Sequence, residues 1–200
     1  MLHKSLKSCI FATQKHGEKM TENELSLKLR ADARKIGLCD EWYGQWKEDT
    51  SREELYQKFI RGLDFCLKHK WPSRPFIKHH FSQKFLRDHG ILVDDTRSYP
   101  VRDENRRLIH LRDFVLLGES HATIRYSFKP HMCNIWVCDD STIKVDVKYG
   151  AFMLIHLFDH TKADIVTDMV SNVTVIRHSP DTIVKKTGIV VVKNEYNYLR

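Results

Sequence analysis

The sequence predicts an α+β protein: a small N-terminal helical domain followed by a short parallel β-solenoid of about four coils, each of ~20 residues. Three observations lead there. From Met20 to about Gly90, apolar residues recur at helical spacing. Beyond the polar stretch 94–107 the period changes to two, and β-branched residues become common. In that second half "NIWVCDD", "LIHLFDH" and "TVIRHSP" begin at Asn134, Leu154 and Thr174, a constant step of twenty residues, and each ends in turn-forming residues.

The helical half divides into short elements. "TENELSLKLRADARKIGL" places Leu25, Leu29, Ala33 and Ile36 on one stripe, with Gly37 just past the end as a C-terminal cap. Trp42 and Trp46 follow one turn apart and would share a helix face. Ser51 opens "SREELYQKFIRGLDFCLKHK" with Glu54 three residues on, a capping-box signature, and Leu55, Phe59, Leu63, Cys66 and Leu67 trace the apolar face. "WPSRP" stops this helix; "FIKHHFSQKFLRDHG" supplies one or two more, closed by Gly90. The predicted boundaries are a helical domain over 20–93, a linker over 94–107 and the solenoid over 108–200.

The twenty-residue step predicts one strand per block at 133–138, 153–158 and 173–178, and a second at 143–149, 163–169 and 182–186. A weaker copy begins at Leu111, and "IVVVK" at Ile189 starts a last partial turn. Alternation puts Cys133, Ile135 and Val137 inside, stacked on Met153, Ile155 and Leu157 and then on Val173 and Val175. Ile143, Val145 and Val147 stack likewise on Ala163, Ile165 and Thr167. The register fails at Lys185, which predicts a shorter or distorted last coil.

The outward columns differ between the two faces. On one, Lys144 lies over Asp164 and Lys148 over Asp168, the pattern of a solvated surface. On the other, Trp136, His156 and Ile176 form one column and Cys138, Phe158 and His178 form a second. Large apolar groups pointing out of a coil imply a covered face, with either the helices or a second chain as the cover. These six residues are the candidate binding surface.

The 200 residues carry a net charge of +7, which permits an anionic partner; a solvated lysine-biased surface is the plainer account. Back-translated, "GEKM" gives a purine-rich ribosome-binding site before an ATG, so Met20 is the expected natural start and residues 1–19 a translated leader or basic tail. That segment holds four lysines and one glutamate, so without it the charge falls from +7 to +4. Its apolar run "CIFA" is too short for a signal peptide or a membrane span, and no membrane association is expected. The five cysteines form no CxxC pair; Cys39, Cys66 and Cys133 sit among apolar neighbours, as reduced thiols of a cytoplasmic protein would.

No P-loop, GxGxxG, GxSxG or HExxH occurs, and Asp94–Asp95 and Asp139–Asp140 read as turns. The expectation is a protein without catalytic residues, metal or cofactor. Zinc at Cys138, His156 and His178 is conceivable, but histidines bonded within an interface suit the pattern better. The competing site is a basic stretch with interleaved aromatics over 68–87: Lys68, Lys70, Trp71, Arg74, Lys78, His79, His80, Lys84 and Arg87. That mixture holds phosphates and stacks bases. Core anchoring of Trp71 and Phe76 under a solvated lysine face explains the same residues.

"IGLCDEWYGQW", "EELYQKFIRGLDFCLKHKWPSRPFIKHHF", "HGILVDD" and "NVTVIRH" resemble a family of small uncharacterised proteins from gut bacteria and their phages, over most of the chain after Met20. No activity or site residue comes with that resemblance. The coil half separately resembles bactofilin-like β-solenoids in repeat length and alternation, which implies polymerisation or scaffolding. The functional expectation is a non-catalytic binding or scaffolding protein, encoded by a phage or mobile element, acting through a protein partner or a second copy of itself. Nucleic-acid binding through 68–87 is the alternative.

Overall fold

The computed structural model describes residues 20–47, 50–100, 111–127 and 132–197; residues 1–19, for which a leader or basic tail is expected, and residues 101–107 of the expected linker lie outside them. The described helices are α1 (Glu22–Lys35), α2 (Asp40–Gly44), α3 (Arg52–Arg61), α4 (Leu63–Lys68), α5 (Arg74–His80) and α6 (Gln83–Asp88). The strands follow as β1 (Ile91–Val93), β2 (Thr96–Tyr99), β3 (Asp113–Leu117), β4 (His121–Ser127), β5 (Cys133–Val137) and β6 (Thr142–Lys148). The last five are β7 (Phe152–Leu157), β8 (Lys162–Thr167), β9 (Asn172–Arg177), β10 (Ile183–Thr187) and β11 (Val190–Asn194). This is the expected helical region followed by a parallel β-solenoid.

Both longer helices start with a full capping box. Thr21 and Ser51 accept from the N–H of Glu24 and Glu54, whose carboxylates reach back to the cap N–H groups. Leu25, Leu29 and Ala33 bury the stripe of α1 against Leu38, Trp46 and Leu55. The Trp46 indole N–H donates to the buried Ser26 hydroxyl at 3.0 Å, which satisfies both groups inside this core. The predicted single helix from Ser51 is interrupted at Gly62, giving α3 and α4. A Cβ there would sit 3.3 Å from the Lys58 carbonyl oxygen and 3.4 Å from the Trp42 ring, so the indole packs on bare backbone.

Odd-numbered strands build a six-stranded parallel sheet in the order β1-β3-β5-β7-β9-β11, and even-numbered strands a five-stranded one in the order β10-β8-β6-β4-β2. The register matches the sequence. Cys133, Ile135 and Val137 stand beside Met153, Ile155 and Leu157, and these beside Val173, Val175 and Arg177. Ile143, Val145 and Val147 stand beside Ala163, Ile165 and Thr167. The inward members fill one continuous core, with Ile135, Ile155, Ile165 and Val175 inaccessible to solvent.

One corner of the coil repeats its chemistry over four successive levels. Asp94, Gly118, Asp139 and Asp159 occupy it with positive φ, a conformation glycine and aspartate tolerate best. Gly118 N–H donates to the Asp139 carboxylate at 2.7 Å, and Asp139 N–H to that of Asp159 at 3.1 Å. Behind them Ser120, Ser141, Thr161 and Thr182 are buried one above another. Ser120 donates to the Leu117 carbonyl, Ser141 to that of Gly118 and Thr182 to that of Ser179.

Three details depart from the sequence reading. The sheets begin earlier than residue 108, because Ile91–Val93 and Thr96–Tyr99 already form strands, held by β3 and β4. Their shortness and the charged Asp94–Asp95 between them hid the alternation. The last coil is longer by one residue rather than shorter. Val184 pairs with Ala163 and Lys186 with Ile165, and the extra residue is taken up in the Ser179–Asp181 turn. Lys186 thus lies in an inward column yet stays exposed, its ammonium donating to the Val190 carbonyl at 2.9 Å. Lys144 stands beside Asp164 as expected, but the ladder ends at Val147 and Thr167, one residue before Lys148 and Asp168. Lys148 lies 3.5 Å from Asp146, while Asp168 accepts backbone N–H groups of Tyr149, Val170 and Ser171. Among the described residues no helix is long and apolar enough to cross a membrane.

Candidate functional site

Strand register extends the two outward columns toward the N-terminus. Ile91 and Val115 precede Trp136, His156 and Ile176; Val93 and Leu117 precede Cys138, Phe158 and His178. The cover at this end is the helical domain. Leu63, Ile77 and Leu86, with Phe59, Leu67 and Phe85 beside them, pack on Ile91, Val93, Val115, Leu117, Cys138 and Phe158 as one buried cluster. Cys138, His156 and Phe158 are buried, while Trp136, Ile176 and His178 are half-buried. The columns end in exposed Lys193 and Glu195 on and just beyond β11.

Where the apolar pairs give way to rings, four of them run nearly parallel. Trp136 faces His156 (centroids 5.7 Å, 10°), His156 faces His178 (5.2 Å, 6°) and His178 faces Phe158 (4.4 Å, 19°). Burial first, and the neighbouring His178 second, lower the His156 pKa from 6.5 to about 4. Burial also lowers that of His178. Burial, and then the carboxylates of Asp139 and Asp159, push the Cys138 thiol well above its ordinary range. A neutral thiol and two neutral imidazoles bonded to protein are packing groups here. Among the described residues no cluster of three His, Cys, Asp or Glu side chains is placed to hold a metal ion.

The predicted basic stretch is divided by the fold. Arg74 and Lys78 both reach Asp94, at 3.0 and 3.2 Å. Arg87 forks onto Asp95 with two 2.7 Å bonds, Gln83 adds a third, and Lys84 pairs with Asp88. The two aspartates that read as a turn therefore also clamp α5 and α6 to the first coil. Gly118 makes room for one of these clamps, since a Cβ there would fall 1.9 Å from the Asp94 carboxylate. Trp71 is half-buried and packs edge-on to Phe65, while Lys68, Lys70 and His79 are exposed. Lys68, Lys70, Trp71 and Arg74 do meet Cys138, Phe158 and His178 across one cleft of about 520 Å3. Its opposite wall carries Asp139 and Asp159, so the cleft presents both signs of charge.

A different surface stands out in three dimensions. At the corner opposite the aspartates, Tyr149 and Phe152 are 71% and 50% exposed, Met169 and Val170 84% and 66%, and Ile189 53%. The corners stack: Tyr149 N–H donates to Asp168 at 2.6 Å, and a Cβ on Gly188 would fall 2.2 Å from the Thr167 carbonyl oxygen. Met132, 49% exposed, lies one strand before Phe152. The result is an apolar ridge along one edge of the solenoid. Sequence reasoning passed over it because its members sit in turns or, like Phe152, at the very start of a strand, outside the alternating runs; "YGAF", "DMVS" and "TGIV", which begin at Tyr149, Asp168 and Thr187, were the available signal. Comparison with protein-family models, curated proteins and solved structures finds no match to this chain.

Proposed function

We propose that this chain is a non-catalytic binding or scaffolding protein acting through protein–protein contact, with the ridge of Tyr149, Phe152, Met169, Val170 and Ile189 as its contact surface. The observation that carries this is the exposure of five large apolar side chains at successive corners of a stacked coil. Scattered exposed apolar residues are ordinary, whereas a contiguous row on rigid elements marks an interaction surface. The ring columns, largely taken up by the helices, serve instead to join the two halves. Cys66, Cys133 and Cys138, buried inside the fold, suit a reducing cytoplasm. A phage or mobile-element origin rests on the sequence resemblance.

Sedimentation velocity over a range of concentrations tests the proposal. Wild type should self-associate, and Phe152→Ser with Met169→Lys should be monomeric with an unchanged melting temperature. A monomeric wild type shifts the partner to a foreign protein, to be sought by photo-crosslinking from position 169. Neither association nor a specific crosslink would remove the ridge as an interface. Nucleic-acid binding is the outcome to set against it. Affinity for DNA or RNA that falls steeply with salt and is weakened by Lys68→Glu with Lys70→Glu would favour that function instead.

A further inference from the structure

The helical domain contains a cavity of about 350 Å3 that neither the ridge nor the solenoid core uses. It lies between the two helical clusters, floored by Leu29, Leu55, Ile77 and Leu86. Its walls are aromatic: Trp42, Trp46, Tyr56, Phe65 and Trp71 line it, and all but Trp46 are only partly buried. A volume at the lower end of the range for small-molecule sites, about 300–1,000 Å3, with few polar groups in its lining, is the usual anatomy of a ligand pocket. Half-wetted rings gain by being covered.

The polar part of the lining has one dominant sign. Lys58 and Arg61, one turn apart on α3, both border the cavity. The Lys58 ammonium stands 5.5 Å from the centroid of the Trp46 ring. Among the described residues neither cation has a carboxylate within ion-pair distance, although Asp64 also lines the space. Glu54, one turn before Lys58, is committed to the Ser51 capping box. Burial, and then the like charge of Arg61, lower the Lys58 pKa; the Glu54 carboxylate opposes this and Lys47 adds to it, with the net direction downward. An anion here would relieve that repulsion and meet two cations at the edge of an apolar chamber.

We propose that this cavity binds a small amphipathic anion, an apolar body with a single carboxylate, its body against the aromatic walls and its head between Lys58 and Arg61. The site is independent of the ridge and stands or falls separately.

Decanoate, decanol and decyltrimethylammonium, each below its micelle concentration, are the probes. Three of the four tryptophans, Trp42, Trp46 and Trp71, line the cavity, so their emission reports occupancy. Decanoate should bind the full chain saturably at one equivalent, about tenfold or more tighter than decanol or the cation, the worth of one charge-assisted contact. Lys58→Glu with Arg61→Glu should reverse the order, so that decyltrimethylammonium binds best. That gain of binding also shows that the variant folds. Should the reversed pair not fold, Lys58→Gln with Arg61→Gln is expected to bind decanoate and decanol alike. No saturable decanoate binding, or an unchanged ranking in either folded variant, overturns the proposal.

Discussion

Nδ1 of His156 lies 2.9 Å from Nε2 of His178, and Nδ1 of His178 lies 2.9 Å from the carbonyl oxygen of Glu195. A carbonyl only accepts, so His178 carries its proton on Nδ1 and offers a lone pair at Nε2, to which His156 donates. The pair is satisfied in its neutral form. Both pKa values are lowered in the folded chain, so between pH 6.5 and about 4 the unfolded chain binds more protons. Stability is therefore full above about pH 6.5 and falls as the pH drops toward 4. The distance from 6.5 to about 4 at His156 corresponds to roughly 3 kcal/mol. Melting temperatures at pH 7.5 and 5 should differ in wild type and differ less in His156→Phe; equal pH slopes would refute the assignment.

The Arg87–Asp95 fork should be the strongest of the clamps between helices and coil. Asp95 keeps only 10% of its side chain exposed, and the Arg87 bonds foremost hold its carboxyl below the usual range. Arg87→Ala should cost about 2 kcal/mol, whereas Lys78→Ala, at a half-exposed pair, should cost less than about 1 kcal/mol. Urea denaturation of the two variants gives the comparison.

Gly90 should tolerate no side chain. Its φ is +73°, and a Cβ would fall 2.4 Å from the carbonyl oxygen of Asp113. Val115 N–H bonds the Gly90 carbonyl at 2.9 Å, which keeps the two segments from moving apart. Gly90→Ala is expected to cost at least about 2 kcal/mol and to loosen α6 from β1. Thermal melting and hydrogen exchange of residues 83–93 would show both.

Ile155 tests the core column. It is fully buried between Ile135 and Val175. Ile155→Ala should cost about 2–5 kcal/mol, and Ile155→Asp should unfold the coils by burying a carboxylate without a partner. A soluble aspartate variant with an unchanged β-sheet circular dichroism spectrum would contradict this placement.

The inward columns were legible from the sequence because a parallel coil repeats its period in the chain: Cys133, Met153 and Val173 are neighbours in space and twenty apart in number. The six ring-column residues were legible for the same reason. Which of the two expected covers they meet was not, since Leu63, Ile77 and Leu86 approach from helices whose docking angle leaves no trace in periodicity. Charge was legible only as composition. Arg74, Lys78 and Arg87 look like one basic patch until Asp94 and Asp95 fold back onto them. The ridge escaped because its side chains sit in turns or, for Phe152, at a strand's first residue, where neither period is established.

The corner bonds between Gly118, Asp139 and Asp159 have a geometric consequence. Each level adds about twenty residues and advances the structure by one strand spacing, about 4.8 Å. Removing residues 151–170 would bring Cys133, Ile135 and Trp136 beside Val173, Val175 and Ile176, side chains of the same class in the same columns. The distance between the helical end and the open end is therefore quantised. Evolution or engineering can shorten or lengthen this molecule in whole increments, as a ruler is cut at its graduations.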